Sequence, residues 1–446
     1  MKTLNQTLGY YTPAFFNLYI ATTNPIELNK LTPGEMATFV HEYTHFLQDF
    51  TTLKGLENIF NVFEWLRLFV TETYKRKVVE IPVKFGHEIL SLNQQISYIS
   101  YGSQINIDSI SSLSNISLSP VKVSDEILAK FPQLSTFSTV IATAYKPYGQ
   151  LPIEIGTLAV MESMAHLSEV LMGLPITNSP DYPYNTVRLM ANALCPAANL
   201  SDEVLYALCD HALQCSVPGK AIYEMLTGIQ NGKFSTPLDG KDVYKIFNCS
   251  FDQWKNNDPM GCVGRGVEHL FKLVQGPMGQ QYQAWVKNMM GFAITMRQTH
   301  PDFLIDNLRK KSCYCDIVNS VGTPLMVNAV SDFTKVPAPL PKAFPLEFDV
   351  EFYRAIDYIF GLLQSGKREC PMREWCQRSG IATDINCIVN PPARSDVNRY
   401  PALCPVGGLW RHWNLSRYHL SSQYLIRQDC WFRRWVLKLL KIGDCQ

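Results

Sequence analysis

Thr32-Pro33-Gly34-Glu35-Met36-Ala37-Thr38-Phe39-Val40-His41-Glu42-Tyr43-Thr44-His45-Phe46-Leu47-Gln48-Asp49-Phe50 reads as one helix with a clear start. Thr32 suits the N-cap, Pro33 the first helical position, and Glu35 stands three residues after the cap, the spacing of a capping box. From Met36 to Phe50 there is neither Gly nor Pro. Phe39, Val40, Phe46, Leu47 and Phe50 put apolar groups on more than one face, which predicts a buried helix.

Within it, His41 and His45 are four residues apart, so they project from one face and their imidazoles can close on one metal ion while the backbone hydrogen bonds stay intact. Glu42 follows the first His directly and is placed to act as a general base on water beside that metal. A zinc ion in a catalytic site takes three protein ligands and leaves a fourth position open. One common arrangement supplies a third His six residues after the second, with Gly three residues after it; here those positions hold Thr51 and Gln48, which excludes it. The other takes a Glu from a later helix. The run Gly156 to His166 offers Glu162 among Leu158, Val160, Met161 and Ala165, where an ionised carboxylate is unfavourable unless paired or ligating. Glu169 and His166 stay open as alternatives, and an exposed Glu on an amphipathic helix is the competing structural reading.

With His41-Glu42-x-x-His45 on one helix and Glu162 on a later one, the first 180 residues or so resemble a gluzincin-type zinc metallopeptidase. The resemblance implies an α+β zincin-like fold, a peptide or protein substrate laid along the edge of a small sheet, Zn2+ as cofactor, and water attack on a peptide carbonyl with Glu42 as base. Such enzymes often carry an Asp four residues after the ligand Glu to orient a ligand His; here that position is His166. Asp49 or Gln48 could hold an imidazole instead, since ligand histidines donate their second ring nitrogen to such groups. The second donor to the oxyanion is left open among His166, His211 and a Tyr such as Tyr101.

The rest of the chain sets the context. At 446 residues it is long enough for two or three packed units, and 46% hydrophobic against 18% charged residues places it among folded proteins. A net charge of +1 gives no overall field toward nucleic acid, so no nucleic-acid partner is expected. Thirteen cysteines, an odd number, read mainly as reduced thiols, and with no secretory signal or membrane-length apolar segment a cytoplasmic location is expected.

The expected class is α+β and mainly helical. A strand over Phe15 to Thr22 precedes the first helix, a second helix covers Glu57 to Tyr74, and Ile96 to Val123 should hold a small sheet. Helices follow over Ile155 to Met172, through much of 183–310, and from Asp349 to Leu363, with a Pro-rich linker at Val336 to Pro345. The expected domains are a zincin-like unit at 1–180, a helical unit at 181–335 and a helical, Cys-rich region at 346–446. There, Cys370, Cys376, Cys387 and Cys404, with Cys313 and Cys315, could form a structural zinc site, although plain thiols fit the spacing better. A basic amphipathic helix at Gln428 to Ile442 offers docking to a partner or membrane surface, and packing on its own protein is the simpler expectation. Rival readings of the whole are a non-catalytic metal-binding or partner-binding scaffold, and a protease effector activated by a partner.

Overall fold

A computed structural model describes residues 8–23, 26–75, 79–81, 83, 90–175, 179–247, 277–310, 314–328, 350–365 and 418–420. The chain divides into two compact units, the first formed by 1–63, 87–271 and 276–346, the second by 64–86, 272–275 and 347–446. Residues on both sides of the expected 180/181 boundary fall in the first unit. The class is α+β and mainly helical. Strands are β1 (Gly9–Thr12), β2 (Asn17–Ile20), β3 (Val79–Ile81), β4 (Ser112–Pro120), β5 (Ser138–Lys146), β6 (Gly149–Ile155), β7 (Leu325–Asn328) and β8 (Tyr418–Leu420). Helices are α1 (Pro33–Thr51), α2 (Leu53–Lys75), α3 (Leu92–Ile99), α4 (Asp125–Lys130), α5 (Thr157–Leu171), α6 (Asp181–Tyr184) and α7 (Thr186–Leu194). They continue with α8 (Asp202–Ala212), α9 (Pro218–Gln230), α10 (Gly240–Ile246), α11 (Pro277–Thr299), α12 (Phe303–Arg309), α13 (Tyr314–Val321) and α14 (Val350–Ser365).

Helix α1 starts as the sequence predicts. The Thr32 hydroxyl accepts from the Glu35 amide at 3.3 Å and the Glu35 carboxylate accepts from the Thr32 amide at 2.9 Å, which satisfies two otherwise orphaned donors. Every residue from Phe39 to Thr51 is buried. One side of α1 meets α5, another meets β1, β2 and α11. Phe16 of the β1–β2 turn stacks on Phe50 at 4.7 Å, and Trp285 of α11 stands edge-on to Phe50 at 5.7 Å, so aromatic packing joins the three. At the far end, the Thr51 carbonyl accepts from Arg297 Nε at 2.7 Å, and that guanidinium also forms two hydrogen bonds to Asp210, through Nη1 at 2.7 Å and Nη2 at 2.5 Å. Arg297 and Asp210 have no exposed surface. A buried cation thus sits at the negative end of the helix that carries His41 and His45.

Among the described residues, two three-stranded sheets belong to the first unit. In one, of order β1-β2-β7, β1 is an edge strand antiparallel to β2, and β2 is parallel to β7. The predicted strand at Phe15 to Thr22 is β2, shortened because Pro13 to Phe16 form the turn from β1. The other is the antiparallel sheet β4-β5-β6. Only β4 lies inside the stretch Ile96 to Val123. Its partners come from 138–155, and α3, capped by Ser91 and Gln94, occupies 92–99. The alternating residues Ile105 to Asp108 form no strand beyond a single bridge from Ile107 to Tyr182.

Strand β6 runs through Gly156 into α5, so Ile155 closes a strand where a helix was expected. A Cβ on Gly156 would stand 2.4 Å from the Ser100 carbonyl and 2.5 Å from the Gly102 nitrogen, so only Gly lets these backbones cross. That crossing seats Tyr101 beside the start of α5. In the second unit, β3 pairs in parallel with β8, the Val83 amide donates to the Leu363 carbonyl at 2.8 Å, and Phe69 meets Phe360 edge-on at 5.8 Å. Helix α14 spans the predicted Asp349 to Leu363 within a residue or two at each end. Among the described residues no helix is long and apolar enough to cross a membrane. The Pro-rich linker, the cysteines at 313, 370, 376, 387 and 404 and the basic amphipathic segment lie outside the described residues, while Cys195, Cys209 and Cys215 are free thiols.

Candidate metal centre

Helices α1 and α5 pack face to face, and the contact brings together residues more than a hundred positions apart. His41 Nε2 lies 3.1 Å from Glu162 Oε2, and His45 Nε2 lies 3.5 Å from the same oxygen. The ligand atoms of His41, His45 and Glu162 all fall within 4.8 Å of one another, and among the described residues this is the one such group of three or more. Ligand atoms set about 2.0–2.1 Å from a tetrahedral ion stand about 3.4 Å apart, so these separations fit a shared cation. This group could hold a metal ion.

The outer ring nitrogens are held as well. His41 Nδ1 donates to Glu169 Oε1 at 2.5 Å, and His45 Nδ1 donates to Gln48 Oε1 at 2.8 Å. Gln48 Nε2 donates to the Met161 carbonyl at 3.0 Å, which turns the acceptor end of its amide to the ring. Both Nδ1 atoms therefore carry hydrogens, and both Nε2 atoms direct a lone pair, or a second proton, at Glu162. Lone pairs facing a carboxylate repel unless a cation lies between them.

The protonation equilibria express the same demand. Burial disfavours a charged His41 ring, yet hydrogen bonds to Glu162 and Glu169 outweigh it and hold its pKa well above the usual value. Burial opposes the charge on His45 too, and Glu162 still raises it. Burial would raise Glu162, but the two imidazoles hold its carboxyl below the ordinary range. A metal ion would replace the protons that play this part.

Glu42 is buried, 9% exposed, and burial raises its pKa, with His41 and His45 acting against that rise. Its carboxylate accepts a hydrogen bond from the Tyr11 main chain on edge strand β1. It therefore stands between the two imidazoles' helix and the rim of the sheet.

Of the other residues singled out from the sequence, Gln48 does hold an imidazole, whereas Asp49 faces the β1–β2 turn and accepts from Tyr11 Oη at 2.7 Å and the Ala14 amide at 3.0 Å. Glu169, the alternative ligand, is the group on His41 Nδ1 instead. Its seven-residue spacing from Glu162, two helical turns on one face, was the available signal. His166 is buried with no hydrogen-bond partner on Nδ1 among the described residues, burial lowers its pKa, and its ring packs edge-on to Tyr184 at 6.3 Å. His211 lies elsewhere, beside Phe247. Tyr101 belongs to the site's surroundings: burial raises its pKa, and the charge of Glu162 adds to the rise.

Tyr184 had no sequence signal. Its ring centroid is 5.5 Å from that of His41, and burial followed by the charges of Glu162, Glu42 and Glu169 raises its pKa. A hydroxyl on α5 and a tyrosine of α6 seat it. Ser163 Oγ donates to the Pro183 carbonyl at 3.1 Å and accepts from the Val187 amide at 3.3 Å, and Tyr182 Oη donates to the Ser103 carbonyl at 2.8 Å. The chain matches no family model, no curated protein and no solved structure.

Proposed function

We propose that this chain is a zinc-dependent metallopeptidase of gluzincin type, with His41, His45 and Glu162 as ligands and Glu42 as general base. The observation that carries the reading is the convergence of both Nε2 atoms on Glu162 Oε2, with each Nδ1 already committed to an acceptor. Imidazole and carboxylate donors in this set suit zinc, and holding the outer ring nitrogens is how proteins fix such ligands. Zinc bound there would supply Lewis acidity to water and to a peptide carbonyl.

The chain's own residues would do the rest. Glu42 takes a proton from the attacking water and hands it to the leaving amide nitrogen, so the scissile C–N bond breaks to a carboxylate and an amine. Its raised pKa, caused by burial, makes it the stronger base toward the water's proton. The Tyr184 hydroxyl, set among the same carboxylates, would donate to the oxygen on which negative charge gathers, and Tyr101 flanks Glu162. An extended peptide would lie beside β1, the outer strand of its sheet among the described residues and the one that touches Glu42.

Two measurements test this. Purified protein should carry about one zinc per chain and lose it in His41→Ala; substoichiometric zinc, unchanged by that substitution, would favour a non-catalytic scaffold. In cells, fragments unique to the wild type over Glu42→Gln would identify substrates, because the amide keeps the metal and removes the base. Equal fragment patterns would remove the hydrolytic assignment.

A further inference from the structure

Helix α1 grips strand β1 at two points, and one residue of the strand supplies both. In the antiparallel pair β1–β2, the Ala21 amide donates to the Leu8 carbonyl, which makes Leu8 and Ala21 a hydrogen-bonded pair. Pairing alternates along the register, so Tyr10 and Thr12 face β2 while the Tyr11 amide points away from it. That amide meets Glu42. The Tyr11 hydroxyl reaches seven residues further along the helix, two turns on the same side, and donates to Asp49 Oδ2 at 2.7 Å.

Asp49 also fixes the turn that follows. It accepts from the Ala14 amide at 3.0 Å, and that turn holds Ala14 at φ 64° and Phe16 at φ 47°, left-handed conformations unfavourable for either residue. Asp49 is fully buried and its Oδ1 has no hydrogen-bond partner among the described residues, an arrangement unfavourable for a carboxylate unless it holds something in place. The strand lies as near as it can. A Cβ on Gly9 would stand 2.4 Å from Thr38 Cγ2, 2.9 Å from the Tyr19 carbonyl and 3.3 Å from Glu42 Cγ.

We propose that Asp49 and Tyr11 are positioning residues for Glu42: their hydrogen bond seats the edge of β1 so that the Tyr11 amide orients the carboxylate toward the metal centre. The inference rests on the metallopeptidase reading of that centre. A carboxylate that must first take and then return a proton gains from one fixed orientation, and an offset of an ångström in such a group is felt in turnover.

The test uses the full chain loaded with zinc, in Tyr11→Phe, Asp49→Ala and Asp49→Asn forms. Hydrogen exchange of residues 8–23 should accelerate about tenfold in Tyr11→Phe and Asp49→Ala, and return to the wild-type rate in Asp49→Asn, whose side-chain oxygen still accepts from both donors. On the internally quenched peptide that wild type cleaves fastest from a randomised library, kcat should fall about tenfold in Tyr11→Phe. KM and zinc affinity should stay within twofold, and Asp49→Asn should retain kcat. Unchanged exchange in Tyr11→Phe, or faster exchange with unchanged kcat, overturns the proposal. A wild type that holds zinc and cleaves no peptide overturns the hydrolytic reading instead, and the exchange measurement still decides for or against the hold on β1.

Discussion

Removing the acceptor from either outer ring nitrogen should weaken metal binding by a predictable amount. His41 is oriented by Glu169 at 2.5 Å and His45 by Gln48 at 2.8 Å, all four side chains being buried. Losing such a partner typically lowers metal affinity about 10–100-fold, or about 1.4–2.7 kcal/mol. Glu169→Gln keeps a neutral acceptor and should fall at the low end; Glu169→Ala, which frees the ring, at the high end. Gln48→Leu should lie near the high end too, because it also strands the Met161 carbonyl. The effect has a second readout in unfolding. With free zinc at about 1,000 times the wild-type dissociation constant, the ion should add about 4.1 kcal/mol to the stability of the folded chain; a variant 100-fold weaker should gain only about 1.4 kcal/mol. Competition against a chromophoric chelator measures the first quantity, and melting with and without zinc the second. Wild-type zinc affinity in both Glu169→Ala and Gln48→Leu would refute the reasoning.

Tyr184→Phe should retain zinc and lower kcat by about 100–1,000-fold if its hydroxyl is the oxyanion donor, as seen in steady-state rates on a cleaved peptide. Arg297→Met should destabilise by about 3–5 kcal/mol in chemical denaturation, because it leaves Asp210 buried without its cation; replacing both by apolar residues should recover much of the loss. Burial pushes the Asp49 carboxyl up to about 7 from 3.8, so the folded chain binds a proton that the unfolded chain has released. Stability should therefore fall as pH rises from about 4 to about 7 and level off above that, by at most about 4 kcal/mol. Asp49→Asn should flatten that slope in melts across the same range, and an unaltered slope would count against it.

Much of α1 was legible because each signal is local. Thr32 and Glu35 close their cap within one turn, and His41, Glu42 and His45 share a face through helical geometry alone. Glu162 was legible for another reason, a carboxylate among apolar neighbours that needed a partner. What escaped depends on contacts between distant segments. Tyr184 reaches His41 only because Ser163 and Tyr182 tie down a short irregular stretch. Spacing to His45 leaves Asp49 and Gln48 both able to hold its imidazole; Gln48 does, while the turn at Ala14 takes the Asp49 carboxylate. The small sheet was placed too early, since the alternation at Ile105 to Asp108 resembles a strand and the true partners of β4 lie beyond α4.

The cap on the Thr51 carbonyl comes from a residue 246 positions later in the chain. At about 5–20 residues per second of translation, roughly 10–50 s pass between synthesis of the metal-ligating helix and arrival of the arginine that closes its end. A nascent chain in that interval can gather its imidazoles and carboxylates while the helix terminus still frays. Full rigidity comes late in synthesis, when most of the polypeptide has already left the ribosome.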